Sequence, residues 1–151
     1  MRFLITFELG RLAKWLRILG FDAVYLKPVK KSKIIVEALK ENRIILTRNN
    51  KIKTQVNSGV ICIKSDLVFE QLQEVVNKLN LQIDKDNLFS RCLICNVRLE
   101  LVDKEKIKSE VPAYVYREHS EFRRCPNCQR VYWPGSHWRK VKEDLDKIKE
   151  G

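Results

Sequence analysis

Two pairs of cysteines carry the clearest chemical pattern in the chain: Cys92-Leu-Ile-Cys95 and Cys125-Pro-Asn-Cys128, with 29 residues between the pairs. Two residues between thiols let one tight turn aim both sulfurs at the same ion, and two such turns complete the tetrahedral sulfur shell that zinc favours. An iron–sulfur cluster or a redox pair would use the same residue type. A thioredoxin-like redox site, however, wants one Cys-x-x-Cys at the end of a first strand, not two in a strand-poor tail. Zinc on Cys92, Cys95, Cys125 and Cys128 is therefore the expected ion, and a structural one, because four protein ligands leave no place for a reacting water. Pro126-Asn127 suits the turn of the second pair, and Arg130-Val-Tyr-Trp133 suits a strand returning from it, as in a zinc ribbon.

The other candidate ligands are less telling. Cys62 lies inside the apolar run Val60-Ile-Cys-Ile63 and reads as a small core residue. His119 and His137 are not needed by a four-cysteine shell; His137, within Pro134-Gly-Ser-His-Trp138, suits either a phosphate or base contact or a local structural role. An odd total of five cysteines argues against a disulfide scaffold and for a cytoplasmic protein. The apolar patch ending at Phe7 is too short for a signal-peptide core, and no run approaches the roughly 20 apolar residues of a bilayer span, so no membrane partner is expected.

With 151 residues, 44% hydrophobic and 32% charged, the chain is too apolar to be disordered and long enough for one compact domain plus a small module. Lys and Arg outnumber Asp and Glu by 30 to 19, a net charge of +11 that favours a polyanion as partner. The excess is shared, +7 over residues 1–86 and +4 over residues 87–151.

The elements that must position these groups follow from hydrophobic periodicity. Residues 2–80 alternate short apolar runs with helical stripes, the signature of βα units around a mostly parallel sheet. Strands are predicted over Arg2–Phe7, Phe21–Leu26, Arg43–Thr47 and Val60–Ile63. Helices are predicted after the first, second and fourth: one carrying Leu9, Leu12, Ala13, Leu16 and Leu19 and ended by Gly20, one capped by Ser32 and stopped at Asn42, and one capped by Ser65. Arg48–Ser58 reads as a polar connection. Polar residues 81–90 suggest a boundary, giving a βα domain over 1–86 and a zinc ribbon over 87–151 that ends in an amphipathic helix with Trp138, Val141, Leu145 and Ile148 behind Ser136.

Longer stretches resemble a known family. Leu9-Gly-Arg-Leu-Ala-Lys-Trp-Leu-Arg17, Leu19-Gly-Phe-Asp22, Arg43-Ile-Ile-Leu-Thr-Arg48, Arg91-Cys-Leu-Ile-Cys-Asn96 and Phe122-Arg-Arg-Cys-Pro-Asn-Cys128 with Val131-Tyr-Trp-Pro-Gly-Ser-His-Trp138 resemble the mutator-seven C-terminal RNase domain family. The resemblance implies an α/β, PIN-like nuclease domain with a mostly parallel sheet, followed by a four-cysteine zinc ribbon and a terminal helix. It also implies acids clustered at strand C-termini, holding Mg²⁺ or Mn²⁺ for phosphodiester hydrolysis.

Here the pattern departs from the family. Thr6 stands where the first acid is expected, and Thr47-Arg48-Asn49 replaces Thr-Arg-Asp. Glu8 and Asp66 are the remaining candidates to hold an ion, with Asn49 as a weak neutral ligand and Arg48 on phosphate; Asp22 opens a strand at the opposite sheet end and suits a turn role. Arg11, Lys14 and Arg17 recur every third residue on the first helix, and Lys27, Lys30, Lys31 and Lys33 form a basic loop, a cationic surface suited to RNA phosphates. Trp133 and His137 add flat side chains for unpaired bases. The expectation is an RNA-binding or RNA-processing protein with impaired cleavage. An active Mg²⁺- or Mn²⁺-dependent ribonuclease and a protein-docking adaptor are the alternatives.

Overall fold

The computed structural model describes residues 1–55 and 59–150; the side chains of 53–55, 136, 137, 149 and 150 lie outside the description. The chain forms two compact units, Met1–Asn96 and Val97–Gly151.

The first unit alternates strand and helix: β1 (Arg2–Ile5), α1 (Gly10–Ile18), β2 (Asp22–Tyr25), α2 (Lys31–Glu41), β3 (Ile44–Thr47), α3 (Asn50–Gln55), β4 (Val60–Cys62) and α4 (Val68–Leu79). The four strands are parallel in the order β2-β1-β3-β4, with Ile5 level with Tyr25 and Leu46, and Thr47 level with Cys62. Helices on both faces explain the consecutive apolar runs, since Phe3, Leu4, Ile5, Ile45 and Leu46 are all buried. Leu4 and Ile45 pack with Ile34, Ala38 and Ile52, the inward residues of α2 and α3. Helices α1 and α4 pack together, their Trp15 and Phe69 rings meeting edge to face at 5.0 Å.

Helix ends follow local chemistry in some places and not in others. Asn42 and Asn80 adopt left-handed φ values of 53° and 48° just beyond α2 and α4, which suits Asn. Gly20 follows α1 with φ 91°, and a Cβ there would meet the Asn87 carbonyl oxygen and approach the Asn87 Cβ to 2.8 Å. Ser32 is not a cap: α2 starts at Lys31, so Ser32 lies within its first turn. Ser65 is not one either, because α4 starts at Val68 and the Ser65 hydroxyl instead accepts the Leu67 N–H at 3.1 Å, a local serine turn. The polar connection after β3 contains α3, whose sole buried side chain among those described is Ile52.

Asp22 opens β2 away from the strand C-termini and anchors an ion network. Arg43, its side chain only 6% exposed, donates to Asp22 Oδ1 at 2.7 Å, to the Phe3 carbonyl at 3.1 Å and to Glu41 at 2.8 Å. Asn96 donates to the same Oδ1 at 2.7 Å. Burial pushes the Asp22 carboxyl up, but the bonds from Arg43 and Asn96 and the charges of Arg43 and Arg91 outweigh it and hold the carboxyl below its ordinary value. A depressed carboxylate stabilises the fold fully above the unfolded aspartate value of 3.8 and loses that contribution as pH falls through the lower native value. Urea melts across the acid range should therefore show a flatter acid limb for Asp22→Asn, and a loss of about 3 kcal/mol at neutral pH from breaking the pair.

The second unit is an antiparallel sheet in the order β5 (Glu100–Val102), β6 (Phe122–Arg124), β7 (Val131–Tyr132), with α5 (Ala113–Glu118) and α6 (Ser136–Glu150). Its cluster of buried residues is small: Ile107, Val111, Val115 and Phe122, with Val131 and Trp133 packed on them. Val141, Leu145 and Ile148 form the buried stripe of α6, whereas Trp138, the first residue of the predicted stripe, is only half-buried. No helix among the described residues is long and apolar enough to cross a membrane.

Candidate functional site

Strand order reverses between β1 and β3: β2 lies on one side of β1, and the chain then crosses to the other. In parallel α/β sheets such a switch opens a crevice at the strand C-termini. Here a cavity of about 80 Å³ lies there, lined by Thr6, Phe7 and Glu8 after β1, Leu26, Lys27 and Val29 after β2, Lys31 and Ile34 on α2, Thr47 at the end of β3, and Asn49 and Ile52 beyond it. Glu8 is the one acid among the lining residues.

Glu8 is tightly held through one oxygen. Its Oε1 accepts from the Thr6 hydroxyl at 2.5 Å, from the Thr47 hydroxyl at 3.2 Å and from the Arg48 N–H at 3.0 Å. Partial burial raises the carboxyl's pKa, but the Arg48 N–H, the Thr6 hydroxyl, the residue's own N–H and Thr47 together lower it further, so the group stays ionised at neutral pH. Thr6 and Thr47, 3% and 0% exposed, are thus donors to an acid rather than acids themselves. Sequence reading missed Thr47, whose partner is 39 residues away and whose residue type is ordinary at a strand end.

The remaining candidates around the cavity are occupied otherwise. Asn49 Oδ1 accepts the Lys51 N–H at 3.0 Å at the start of α3. Arg48 turns its guanidinium to Asp66 Oδ1 at 2.5 Å and to the Lys64 carbonyl at 3.2 Å. Asp66, its side chain 84% exposed, does not line the cavity. Lys27 and Lys31 do line it, and among the described residues neither has an ion-pair partner.

The cationic helix face divides. Arg11 and Lys14 are exposed on α1. Arg17 instead donates to the carbonyls of Ala23 at 2.9 Å, Leu93 at 2.8 Å and Ile94 at 3.2 Å, fastening the first cysteine turn to the parallel sheet. Asn96 completes that attachment by accepting the Ala23 N–H at 3.0 Å. Trp133 is half-buried, its ring 6.4 Å from that of Phe122. The side chain of His137 lies outside the described residues.

Both cysteine turns have the same geometry. The Cys95 N–H points to Cys92 Sγ at 3.4 Å, the Asn96 N–H donates to the Cys92 carbonyl at 2.9 Å, and Asn96 has φ 64°. The Cys128 N–H points to Cys125 Sγ at 3.4 Å, the Gln129 N–H donates to the Cys125 carbonyl at 2.9 Å, and Gln129 has φ 67°. Each turn thus gathers two sulfurs and offers an N–H to one of them. The ligand atoms of Cys92, Cys95, Cys125 and Cys128 all lie within 4.8 Å of one another, and Cys92 and Cys125 are fully buried. Tetrahedral zinc with Zn–S near 2.3 Å separates its sulfurs by about 3.8 Å, so four soft thiolates at this spacing fit zinc. Cys62 is apart and buried, its thiol donating to Asn50 Oδ1 at 2.8 Å.

The chain matches the family model described as the Mut7-C RNAse domain over residues 1–145. No curated protein matches the chain. No solved structure matches it either.

Proposed function

The chain belongs to the Mut7-C RNase domain family, which carries a nuclease-like, RNA-related function, and from that premise we propose an RNA-binding, RNA-processing protein with a PIN-like domain whose own phosphodiester cleavage is weak or lost. The observation supporting this is the cavity's shortage of negative charge. One carboxylate lines it, one of that carboxylate's oxygens already accepts three hydrogen bonds, and two lysines share the lining. Mg²⁺ requires near-octahedral oxygen ligands and usually more than one charged group or a substrate phosphate, so this donor set fits the ion poorly. The four thiolates would hold a structural zinc, and a reducing cytoplasm suits thiols gathered for a metal.

What the chain's own residues do is bind. Lys27 and Lys31 attract phosphate at the cavity, and Arg11 and Lys14 extend the cationic surface along α1. Such contacts are largely independent of sequence and weaken with salt.

Fluorescence anisotropy with a single-stranded oligoribonucleotide tests this reading. Four phosphate contacts on a single strand, one for each of these cations, imply about a fiftyfold loss of affinity between roughly 50 and 200 mM salt. Cleavage with Mn²⁺ should stay near background. Vigorous Mn²⁺-dependent cleavage abolished by Glu8→Gln would establish the active ribonuclease instead, and salt-insensitive association with a protein, without RNA binding, would establish the adaptor.

A further inference from the structure

We propose that Phe7 is a base-stacking platform: its ring at the cavity mouth receives one unpaired nucleobase of a single-stranded RNA, while Lys27 and Lys31 take the adjoining phosphate. This rests on the RNA-binding reading and adds where the strand is gripped and why it must be unpaired.

Phe7 is the apolar exception on this turn: Glu8 beside it is exposed as a charged residue ordinarily is, whereas a phenylalanine is more often inside. Thr6 and Leu9 are 3% and 1% exposed, whereas Phe7 is 52% exposed and still lines the cavity. It is not a ring on a loose loop. The Tyr25 hydroxyl donates to the Phe7 carbonyl, and the Leu9 N–H donates to the Thr6 carbonyl at 3.0 Å, closing the short 3-10 turn Phe7–Leu9. Gly10 makes room for this brace, since a Cβ there would lie 3.2 Å from the Tyr25 hydroxyl. A solvent-facing aromatic on a braced turn offers a fixed flat surface, and stacking is insensitive to base identity because every base has a π-face.

Cavity size and charge select the occupant. About 80 Å³ is well below the roughly 300 Å³ at which small-molecule pockets begin, so a whole nucleotide does not fit. A phosphate-sized group fits, leaving its base outside at the rim where Phe7 stands. Two lysines without ion-pair partners among the described residues complement that phosphate, while an apolar peptide would leave both uncompensated. In a duplex the base faces already stack on one another, so the platform selects unpaired strands.

The test uses the full chain and a single-stranded RNA carrying one 2-aminopurine, whose emission reports stacking directly. Wild type should bind with a change in emission. Phe7→Ala should weaken binding about five- to a hundredfold and abolish that change, Phe7→Leu should behave like Phe7→Ala despite its apolar bulk, and Phe7→Trp should restore both. Replacing Lys27 and Lys31 with Ala should lower the salt slope by about 0.7 for each phosphate that is no longer neutralised. If Phe7→Ala fails to fold, the Leu and Trp variants carry the comparison. Equal binding by wild type and Phe7→Leu, or equal affinity for duplex and single strand, would overturn stacking and leave general RNA binding standing. No binding by wild type at low salt, including a switch of preference to an apolar peptide, would overturn both.

Discussion

Replacing Cys125 with alanine is expected to release the metal and unfold the antiparallel β5–β6–β7 sheet, while the parallel sheet keeps its cooperative melt. The asymmetry lies in what holds each unit. The parallel sheet is buried on both faces, with Phe3, Leu4, Ile5, Leu12, Leu16, Leu46 and Leu72 at 1% exposure or less. The antiparallel sheet rests on a cluster of four buried side chains, Ile107, Val111, Val115 and Phe122, and modules of that size generally need a metal or disulfide. Zinc binding in small four-ligand modules supplies about 10–16 kcal/mol at neutral pH, more than such a core can replace. Amide hydrogen exchange should show protection lost in β5, β6 and β7 and retained in β1 and β3, with zinc content falling in parallel. Persisting protection in β6 after loss of the metal would refute a structural role for the ion.

The second large effect is a gain. A Thr6→Asp, Asn49→Asp double variant is expected to acquire Mn²⁺ binding and to raise RNA cleavage at least about a hundredfold, the scale of one well-placed catalytic group. Thr6 is 3% exposed and lies 2.5 Å from Glu8, and Asn49 lines the same cavity, so two added carboxylates would face the existing one. Without metal the variant should be less stable than wild type, because like charges at this range repel and Glu8 loses its Thr6 donor. Mn²⁺ should reverse that loss: saturation a hundredfold above the dissociation constant restores about 2.7 kcal/mol, visible as a metal-dependent melting temperature that wild type lacks. An unchanged melting temperature would show that missing acids are not what keeps the ion out.

The features readable in the sequence were those set by local chemistry. The Cys-x-x-Cys spacing needs one turn, and both turns close as that spacing requires. Apolar runs mark the four parallel strands because both faces of that sheet are buried, and Asn42 marks a left-handed stop that Asn tolerates well. What escaped depended on distant partners. Arg17 looks like every other cation on α1 until its acceptors arrive from Leu93 and Ile94, more than seventy residues later. Helix α3 shows no stripe because Ile52 alone among its described side chains turns inward. Ser32 and Ser65 are good caps by type, yet tertiary packing fixed the helix starts elsewhere. Phe7 read as the last residue of a strand, although β1 ends at Ile5 and the ring faces solvent.

Gly20 matters for how loss-of-function alleles are read. Its left-handed φ and the Asn87 backbone against its missing Cβ leave no tolerable side chain. In a genetic selection, lesions at this codon would therefore score as severely as the joint loss of Lys27 and Lys31, although Gly20 lies outside the cavity. Steady-state protein abundance separates the two classes: the glycine allele is depleted by cellular quality control, and the lysine allele accumulates as an intact but silent molecule.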